Sequence, residues 1–92
     1  MICQRWLVSG VVQGVGYRAW MRDKAVALHV EGWVRNRHDG TVEALVQGER
    51  HALQSLYQEC LRGPPAACVD GIAVSDAQSE PSVGGFEQRA SL

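Results

Sequence analysis

The sequence predicts an α+β fold, in which an antiparallel sheet carries two helices on one face in the order βαββαβ, followed by a short C-terminal strand. Apolar residues recur at every second position in the short segments and at every third or fourth position in two longer ones, as in strands and helices. The strand segments are polar on one side, which is typical of an antiparallel sheet with one face in water. Helices on the other face then complete a two-layer sandwich.

The first strand and the first helix follow each other closely. Residues Ile2–Val12 predict a strand whose even positions include Trp6, Val8 and Val12. Residues Tyr17–His29 predict a helix with a single apolar stripe. That stripe contains Tyr17, Met21, Ala25 and Leu28, and Trp20 and Val26 widen it.

A hairpin and a second helix come next. The pair Asp39-Gly40 between two alternating segments indicates a hairpin with arms Gly32–Arg37 and Thr41–Gly48. The second helix is predicted over Arg50–Arg62, where Gly63-Pro64-Pro65 stops it. Its inward residues are predicted to be Leu53, Leu56, Tyr57, Cys60 and Leu61.

The last elements are a strand, a polar loop and a short terminal strand. Val69–Ala77 predicts a strand with Ile72 and Val74 on one face. The loop is Gln78–Gly85, and the terminal strand is Phe86–Arg89.

Length and composition indicate one globular domain spanning residues 1–92. A net charge of −1 argues against the basic face that nucleic acids require. The three cysteines lack metal-ligand spacing, so we expect no metal. We also expect no other cofactor. No apolar segment is long enough for a membrane span, and the odd cysteine count without a secretion signal favours a cytoplasmic location. We expect a monomer, because no large apolar stripe is left over.

The segment between the first strand and the first helix predicts an anion site. It contains Gly14 and Gly16, then an aromatic residue and Arg18. Glycines let backbone N–H groups curl toward one point, and a helix start adds unpaired N–H groups and a positive dipole end. A guanidinium fork matches phosphate oxygens. We therefore predict that phosphate binds to the loop, which comprises Gln13, Gly14, Val15, Gly16, Tyr17 and Arg18.

Other phosphate loops fit this segment less well. A Walker loop requires a Lys-Ser or Lys-Thr pair after the glycines, and none is present. The dinucleotide fingerprint requires a parallel βαβ unit with a ribose-binding acid, which does not follow convincingly. The glycines alone are equally consistent with a plain strand-to-helix turn.

A second motif runs from Gly32 to Asn36 and continues into the hairpin. Asn36 lies just before the turn, where asparagine commonly caps the backbone. Its amide also offers an acceptor and two donors without charge. Arg35 and Arg37 belong to the same motif, and together with Arg18 they gather positive charge in a way that suits a small anion.

Together the two motifs resemble the signatures of acylphosphatases. The resemblance rests on QGVGYR at Gln13–Arg18 and GWVRNRHDGTVE at Gly32–Glu43, and it extends over nearly the whole chain. It implies a ferredoxin-like fold and hydrolysis of the carboxyl–phosphate bond of acyl phosphates. It also implies that Arg18 binds the phosphoryl group and that Asn36 positions the attacking water.

One residue differs from the family pattern. His29 stands where the family usually has a helix-ending glycine, and histidine tolerates a left-handed backbone less easily than glycine does.

Two other functions compete with hydrolysis. Ferredoxin-like domains can bind RNA through sheet aromatics, but this sheet is predicted to expose arginine, glutamate and glutamine instead. Similar domains also begin larger carbamoyltransferases. A chain that starts with methionine and stops after its last strand favours a free-standing enzyme.

Overall fold

The computed structural model describes residues 1–80 and 84–91. Its elements are β1 (Ile2–Val11), α1 (Tyr17–Ala27), β2 (Glu31–Asn36), β3 (Val42–Gly48), α2 (Arg50–Arg62), β4 (Cys68–Asp76) and β5 (Phe86–Gln88). The predicted order is confirmed, α2 has the predicted bounds, and the bounds of the other elements agree with the prediction to within two residues. Part of the predicted loop Gln78–Gly85 lies outside the described residues. In the described ranges, neither helix is long and apolar enough to cross a bilayer.

One sheet contains all five strands, in the order β4-β1-β3-β2-β5. Strands β1 to β4 pair antiparallel, whereas β5 pairs parallel to β2. The predicted antiparallel sheet with an added C-terminal strand is confirmed, and the parallel direction of that strand is a feature that the sequence does not predict. The reason is that β4 and β5 lie at opposite edges, and a strand reached by such a crossing, rather than by a hairpin, can run parallel to its neighbour.

The core lies between the sheet and the two helices. The strand side chains that are buried against the helices stand at even-numbered positions: Trp6, Val8, Val34, Val42, Ala44 and Val46. From the helices come Tyr17, Met21, Ala25, Leu53, Leu56 and Cys60. The predicted helix stripes are wrong at their margins, since Val26 is 55% exposed and Leu61 is 38% exposed. Each directly follows a buried residue, and one step around a helix turns a side chain by about 100°.

The opposite face of the sheet is less open to water than predicted. Glu43 and Gln47 project from the central strand β3, yet they are only 3% and 4% exposed. The Gln47 amide Nε2 donates a hydrogen bond to the Glu80 carbonyl at 3.3 Å. The Trp33 indole Nε1 donates to the Glu80 carboxylate at 3.0 Å. The segment that follows β4 thus covers part of this face at Glu80.

Helix α1 is followed by a residue in the left-handed conformation. His29 has φ of 59°, and the Val30 amide donates to the Ala25 carbonyl at 2.9 Å across this turn. Such a six-to-one bond is characteristic of a Schellman cap. The exposed His29 therefore adopts the left-handed backbone conformation that glycine usually adopts at this position.

We expect Gly32→Ala to destabilise the fold strongly. Gly32 lies in β2 with φ of 140°, and a Cβ atom there would fall 1.8 Å from the Leu45 carbonyl oxygen of β3. The free energy of unfolding, measured by urea titration, should fall by about 3 kcal/mol or more. The matched control is Gly71→Ala in β4, where a Cβ meets no atom within 4 Å and φ is not positive. Equal stabilities of the two variants would contradict this steric account.

Candidate active site

The loop between β1 and α1 has the curled backbone that its glycines predict. Gly14 and Gly16 have φ of 74° and 81°, both left-handed. The first hydrogen bond of α1 runs from the Trp20 amide to the Gly16 carbonyl at 3.0 Å. The N–H groups that precede Trp20 in the first turn therefore have no carbonyl four residues back within the helix. They lie at the positive end of the helix dipole, where an anion is stabilised.

Gln13 ties this loop to the hairpin turn. Its Nε2 donates to the carbonyls of Arg37 and Thr41, at 2.8 Å each. The turn itself is closed by a hydrogen bond from the Arg37 amide to the Thr41 carbonyl at 2.9 Å. The Gln13 amide thus links the two motifs, which are distant in sequence, through backbone atoms.

A pocket of about 120 Å³ opens where the loop meets the sheet. The loop and the start of α1 contribute Gly14, Gly16, Tyr17, Arg18 and Ala19. Strands β2 and β5 contribute Asn36 and Gln88, and Val12 lies directly after β1. The structure thus brings the predicted residues Arg18 and Asn36 to one pocket. Gln13 and Val15 are not among its lining residues, and their contribution to phosphate binding stays a prediction.

Arg18 is oriented by the C-terminal end of the sheet. Its Nη1 donates to the Arg89 carbonyl at 3.1 Å. The Arg89 backbone is fixed in turn, because its amide donates to the Val34 carbonyl at 2.8 Å. The Arg89 guanidinium also stacks on the Trp33 ring, 4.9 Å from the ring centre. The Arg18 guanidinium keeps further N–H donors for an anion in the pocket.

Asn36 is the last residue of β2, so its predicted place near the strand end and just before the turn is confirmed. Its Oδ1 atom is buried and has no hydrogen-bond partner in the described part of the chain. A buried amide oxygen without a partner costs about 1–3 kcal/mol, so such an atom needs an explanation. A water molecule or ligand in the pocket would supply the missing donor.

Tyr17 and Cys60 are structural groups rather than reactive ones. The buried Tyr17 hydroxyl donates to the Cys60 carbonyl at 2.7 Å, which anchors the loop to α2. Burial, with the Cys60 contacts adding to it, raises the pKa of Tyr17 far above its usual range. Burial raises the pKa of the Cys60 thiol to about 12. Both groups are therefore protonated at neutral pH.

Arg35 and Arg37 do not line the pocket, contrary to the expected clustering of positive charge. The Arg35 Nε donates to Glu43 at 2.8 Å, and the Arg37 Nη1 does so at 3.4 Å. The Arg5 Nε donates to the other carboxylate oxygen. Glu43 thus joins strands β1 and β2 to β3 on the face away from the helices. Among the three motif arginines, Arg18 alone lines the pocket.

Other candidate groups lie apart from the pocket. His38 is exposed in the hairpin turn, where Asp39 accepts hydrogen bonds from the Thr41 amide and hydroxyl. Within residues 1–80 and 84–91, no three His, Cys, Asp or Glu side chains are grouped as metal ligands.

Sequence reasoning missed Gln88 and the Arg89 carbonyl. Both belong to the C-terminal strand region, which the sequence marks only by a short alternation around Phe86. No motif in the chain points to a backbone carbonyl as the partner of Arg18. The pairing of β5 with β2 brings the Arg89 carbonyl close to Arg18.

The fold is a ferredoxin-like sandwich, and the pocket between its glycine loop and the strand ends is a candidate anion site. A sequence model of the family described as "Acylphosphatase" matches residues 4–88. The acylphosphatase of Acidiphilium cryptum is 49% identical over 90 residues, which covers 98% of this chain and 98% of that protein. The acylphosphatase of Rhodospirillum rubrum is 47% identical over 85 residues, or 92% of each.

Solved structures give the same result. The crystal structure of acylphosphatase from Bacillus subtilis matches with a TM-score of 0.91 and 37% identity, covering 97% of this chain and 99% of that chain. Full-length HypF in the phosphate- and nucleotide-bound form matches with a TM-score of 0.87 and 27% identity, covering 99% of this chain and 12% of that chain. This chain belongs to the acylphosphatase family. The predicted family, ferredoxin-like fold and enzymatic class, hydrolysis of acyl phosphates, are confirmed.

We expect the Glu43 network to make stability sensitive to acid. Burial alone would raise the pKa of Glu43, but hydrogen bonds and charges from Arg35 and Arg5 hold it below its usual value. A lowered folded-state pKa stabilises the fold above the unfolded value of about 4.3 and loses this stabilisation as pH falls through the folded value. Glu43→Gln should therefore lower the free energy of unfolding at pH 7 by about 1–3 kcal/mol, since the arginines are partly solvated.

The difference between wild type and Glu43→Gln should shrink as the pH falls below about 4. Urea titrations at pH 7, 5, 4 and 3 would measure it. The control is Asp70→Asn on the edge strand, which removes an exposed carboxylate. A difference that stays constant over this pH range would contradict the assigned role of the Glu43 charge.

Proposed function

We propose that this chain hydrolyses acyl phosphates in the pocket between the glycine loop and the ends of β2 and β5. In this proposal the phosphoryl group lies against the backbone N–H groups of Val15–Arg18 and the Arg18 guanidinium, with Gln13 and Gly14 shaping the loop. Asn36 holds the attacking water. The observation that carries the proposal is the meeting of Arg18 with the unpartnered Asn36 Oδ1 in one small pocket.

The chemistry of the substrate explains why so few side chains suffice. An acyl phosphate is a mixed anhydride whose leaving group is a carboxylate. The conjugate acid of that leaving group has a pKa of roughly 4, so it departs at neutral pH without a proton. The enzyme then needs only to orient the phosphoryl group, balance charge on its oxygens and place a water in line.

Arg18 and the loop supply the charge balance. In the transition state of phosphoryl transfer, negative charge spreads over the equatorial oxygens, and fixed donors stabilise it there. The hydrogen bond to the Arg89 carbonyl holds Arg18 in place before substrate binds. Preorganised donors of this kind need no metal ion to neutralise the phosphoryl charge, and we propose that none takes part.

Asn36 supplies the position of the nucleophile. Its Oδ1 accepts a hydrogen bond from a water molecule, which directs a lone pair of that water toward phosphorus. The P–O bond to water forms as the P–O bond to the carboxylate breaks. One proton of the water passes to a phosphoryl oxygen and the other stays on the incoming oxygen, so the products are a carboxylate and dihydrogen phosphate, which then equilibrates with hydrogen phosphate by releasing a proton to solvent. A neutral amide suits this task because it orients water without repelling the anionic substrate.

The wider context follows from the same proposal. Inorganic phosphate, as product, should occupy the loop and inhibit competitively. We propose that residues 1–92 act as one domain, as a monomer in the cytoplasm, with no nucleic acid or membrane as partner.

We expect Asn36→Ala to separate turnover from binding. Loss of a positioned water should lower kcat for benzoyl phosphate by about 100-fold or more. The inhibition constant of inorganic phosphate should change little, because Asn36 does not hold the phosphoryl group. Steady-state hydrolysis with excess chelator measures both values, with wild type alongside. Full turnover by Asn36→Ala would refute its assigned role, and loss of wild-type turnover in chelator would refute the metal-free proposal.

We expect Arg18→Ala to impair binding and turnover together. The same assay should give a raised KM, weaker phosphate inhibition and a kcat lower by about 100-fold or more, because the guanidinium contacts both substrate and transition state. Arg22→Ala is the matched control, since Arg22 lies one turn further along α1 and is exposed. If Arg18→Ala and Arg22→Ala behave alike, Arg18 is not the phosphate-binding arginine.

A further inference from the structure

We infer that Gln88 contacts the acyl part of the substrate and favours acyl groups that carry an N–H or O–H donor next to the carbonyl. This inference rests on the proposed function and names a substrate preference for the same pocket.

Gln88 is the polar pocket side chain that the proposed mechanism leaves without a role. Arg18 and Asn36 are assigned to the phosphoryl group and the water. The Tyr17 hydroxyl is engaged by the Cys60 carbonyl. The Gln88 amide has no hydrogen-bond partner in residues 1–80 and 84–91, so its donors and acceptor are available to a ligand.

The pairing of β5 with β2 fixes where this amide lies. Gln88 is opposite Val34 in the parallel pair, and residues opposite each other project to the same face of a sheet. Val34 is buried against the helices, and so is Phe86, two residues before Gln88. Gln88 therefore projects to the helix side as well. It is exposed, which places it at the rim of the pocket rather than at its floor.

The position of Arg18 brings the substrate to this rim. The Arg18 guanidinium is bonded to the Arg89 carbonyl, one residue after Gln88. A phosphoryl oxygen held by Arg18 thus lies beside Gln88, while the glycine loop encloses the other side of the phosphoryl group. The acyl group is the part that extends out of the loop, toward the rim.

The chemistry of the Gln88 amide suits one type of acyl group. It presents a C=O acceptor and an N–H donor side by side. A carbamoyl group has the same arrangement, so the two can form a pair of opposed hydrogen bonds. A hydroxyl on the carbon after the carbonyl can likewise donate to Oε1. An acetyl group of the same size accepts one hydrogen bond and donates none.

The test compares carbamoyl phosphate with acetyl phosphate, which differ by NH₂ in place of CH₃. The measured quantity is the ratio of their kcat/KM values in wild type, divided by the same ratio in Gln88→Met. This division cancels the different intrinsic reactivities of the two substrates. Loss of one hydrogen bond at a partly solvated site should reduce the carbamoyl-to-acetyl ratio about 3- to 10-fold in Gln88→Met.

Gln58→Met on α2 is the matched control, since Gln58 is exposed and does not line this pocket. Its ratio should equal that of wild type. An unchanged ratio in Gln88→Met overturns the inference and leaves the proposed function intact. An equal fall for both substrates also overturns it, because Gln88 would then act on the phosphoryl group or the water. If wild type hydrolyses neither of the two substrates, the proposed function and this inference are refuted together.

Discussion

The two hydrogen bonds that the Gln13 amide donates to the carbonyls of Arg37 and Thr41 are the interaction on which the pocket depends. Strands β1 and β2 both flank β3 and run antiparallel to it, so both finish at the same end of the sheet. The loop after β1 and the turn after β2 are therefore neighbours, but neighbouring loops do not by themselves keep a fixed distance. Gln13 fixes that distance through backbone atoms. Arg18 and Asn36 then line one pocket whatever side chains the turn carries.

The rest of the fold supports this junction from two sides. On the helix side, the Tyr17 hydroxyl anchors the loop to α2 through the Cys60 carbonyl. On the opposite face, Glu43 forms ion pairs with Arg5 of β1, Arg35 of β2 and Arg37 of the hairpin turn. These pairs link both strands and the turn to β3. The Arg18 guanidinium donates to the neutral Arg89 carbonyl and pairs with no carboxylate in residues 1–80 and 84–91, so its charge and its further N–H groups are available to an anion.

Much of this architecture could be predicted from the sequence because it follows from local pattern. Alternation and helical spacing gave the element order, and Gly63 with the two prolines gave the end of α2. The two motifs predicted Arg18 and Asn36, and the hairpin signal placed Asn36 before the turn. Each of these depends on residues near one another in the chain.

The features that escaped prediction depend on contacts between distant segments. The parallel direction of β5 follows from a crossing between sheet edges, which periodicity does not record. The burial of Glu43 depends on Arg5 and Arg35 reaching it from both neighbouring strands. The hydrogen bond from Arg18 to the Arg89 carbonyl also joins distant segments, and its acceptor leaves no mark in the sequence because any residue could supply a carbonyl at that position. Val26 and Leu61 were misplaced because a stripe read from sequence has no sharp margin.

The central claim is direct attack of water on phosphorus in the pocket. Hydrolysis of benzoyl phosphate in ¹⁸O-labelled water, under single-turnover conditions, tests it most directly. The account predicts one ¹⁸O atom in the released phosphate and none in the benzoate, because the P–O bond to the carboxylate is the bond that breaks. Label in the benzoate would mean that water attacks the carbonyl carbon, and it would contradict the roles given to both Arg18 and Asn36.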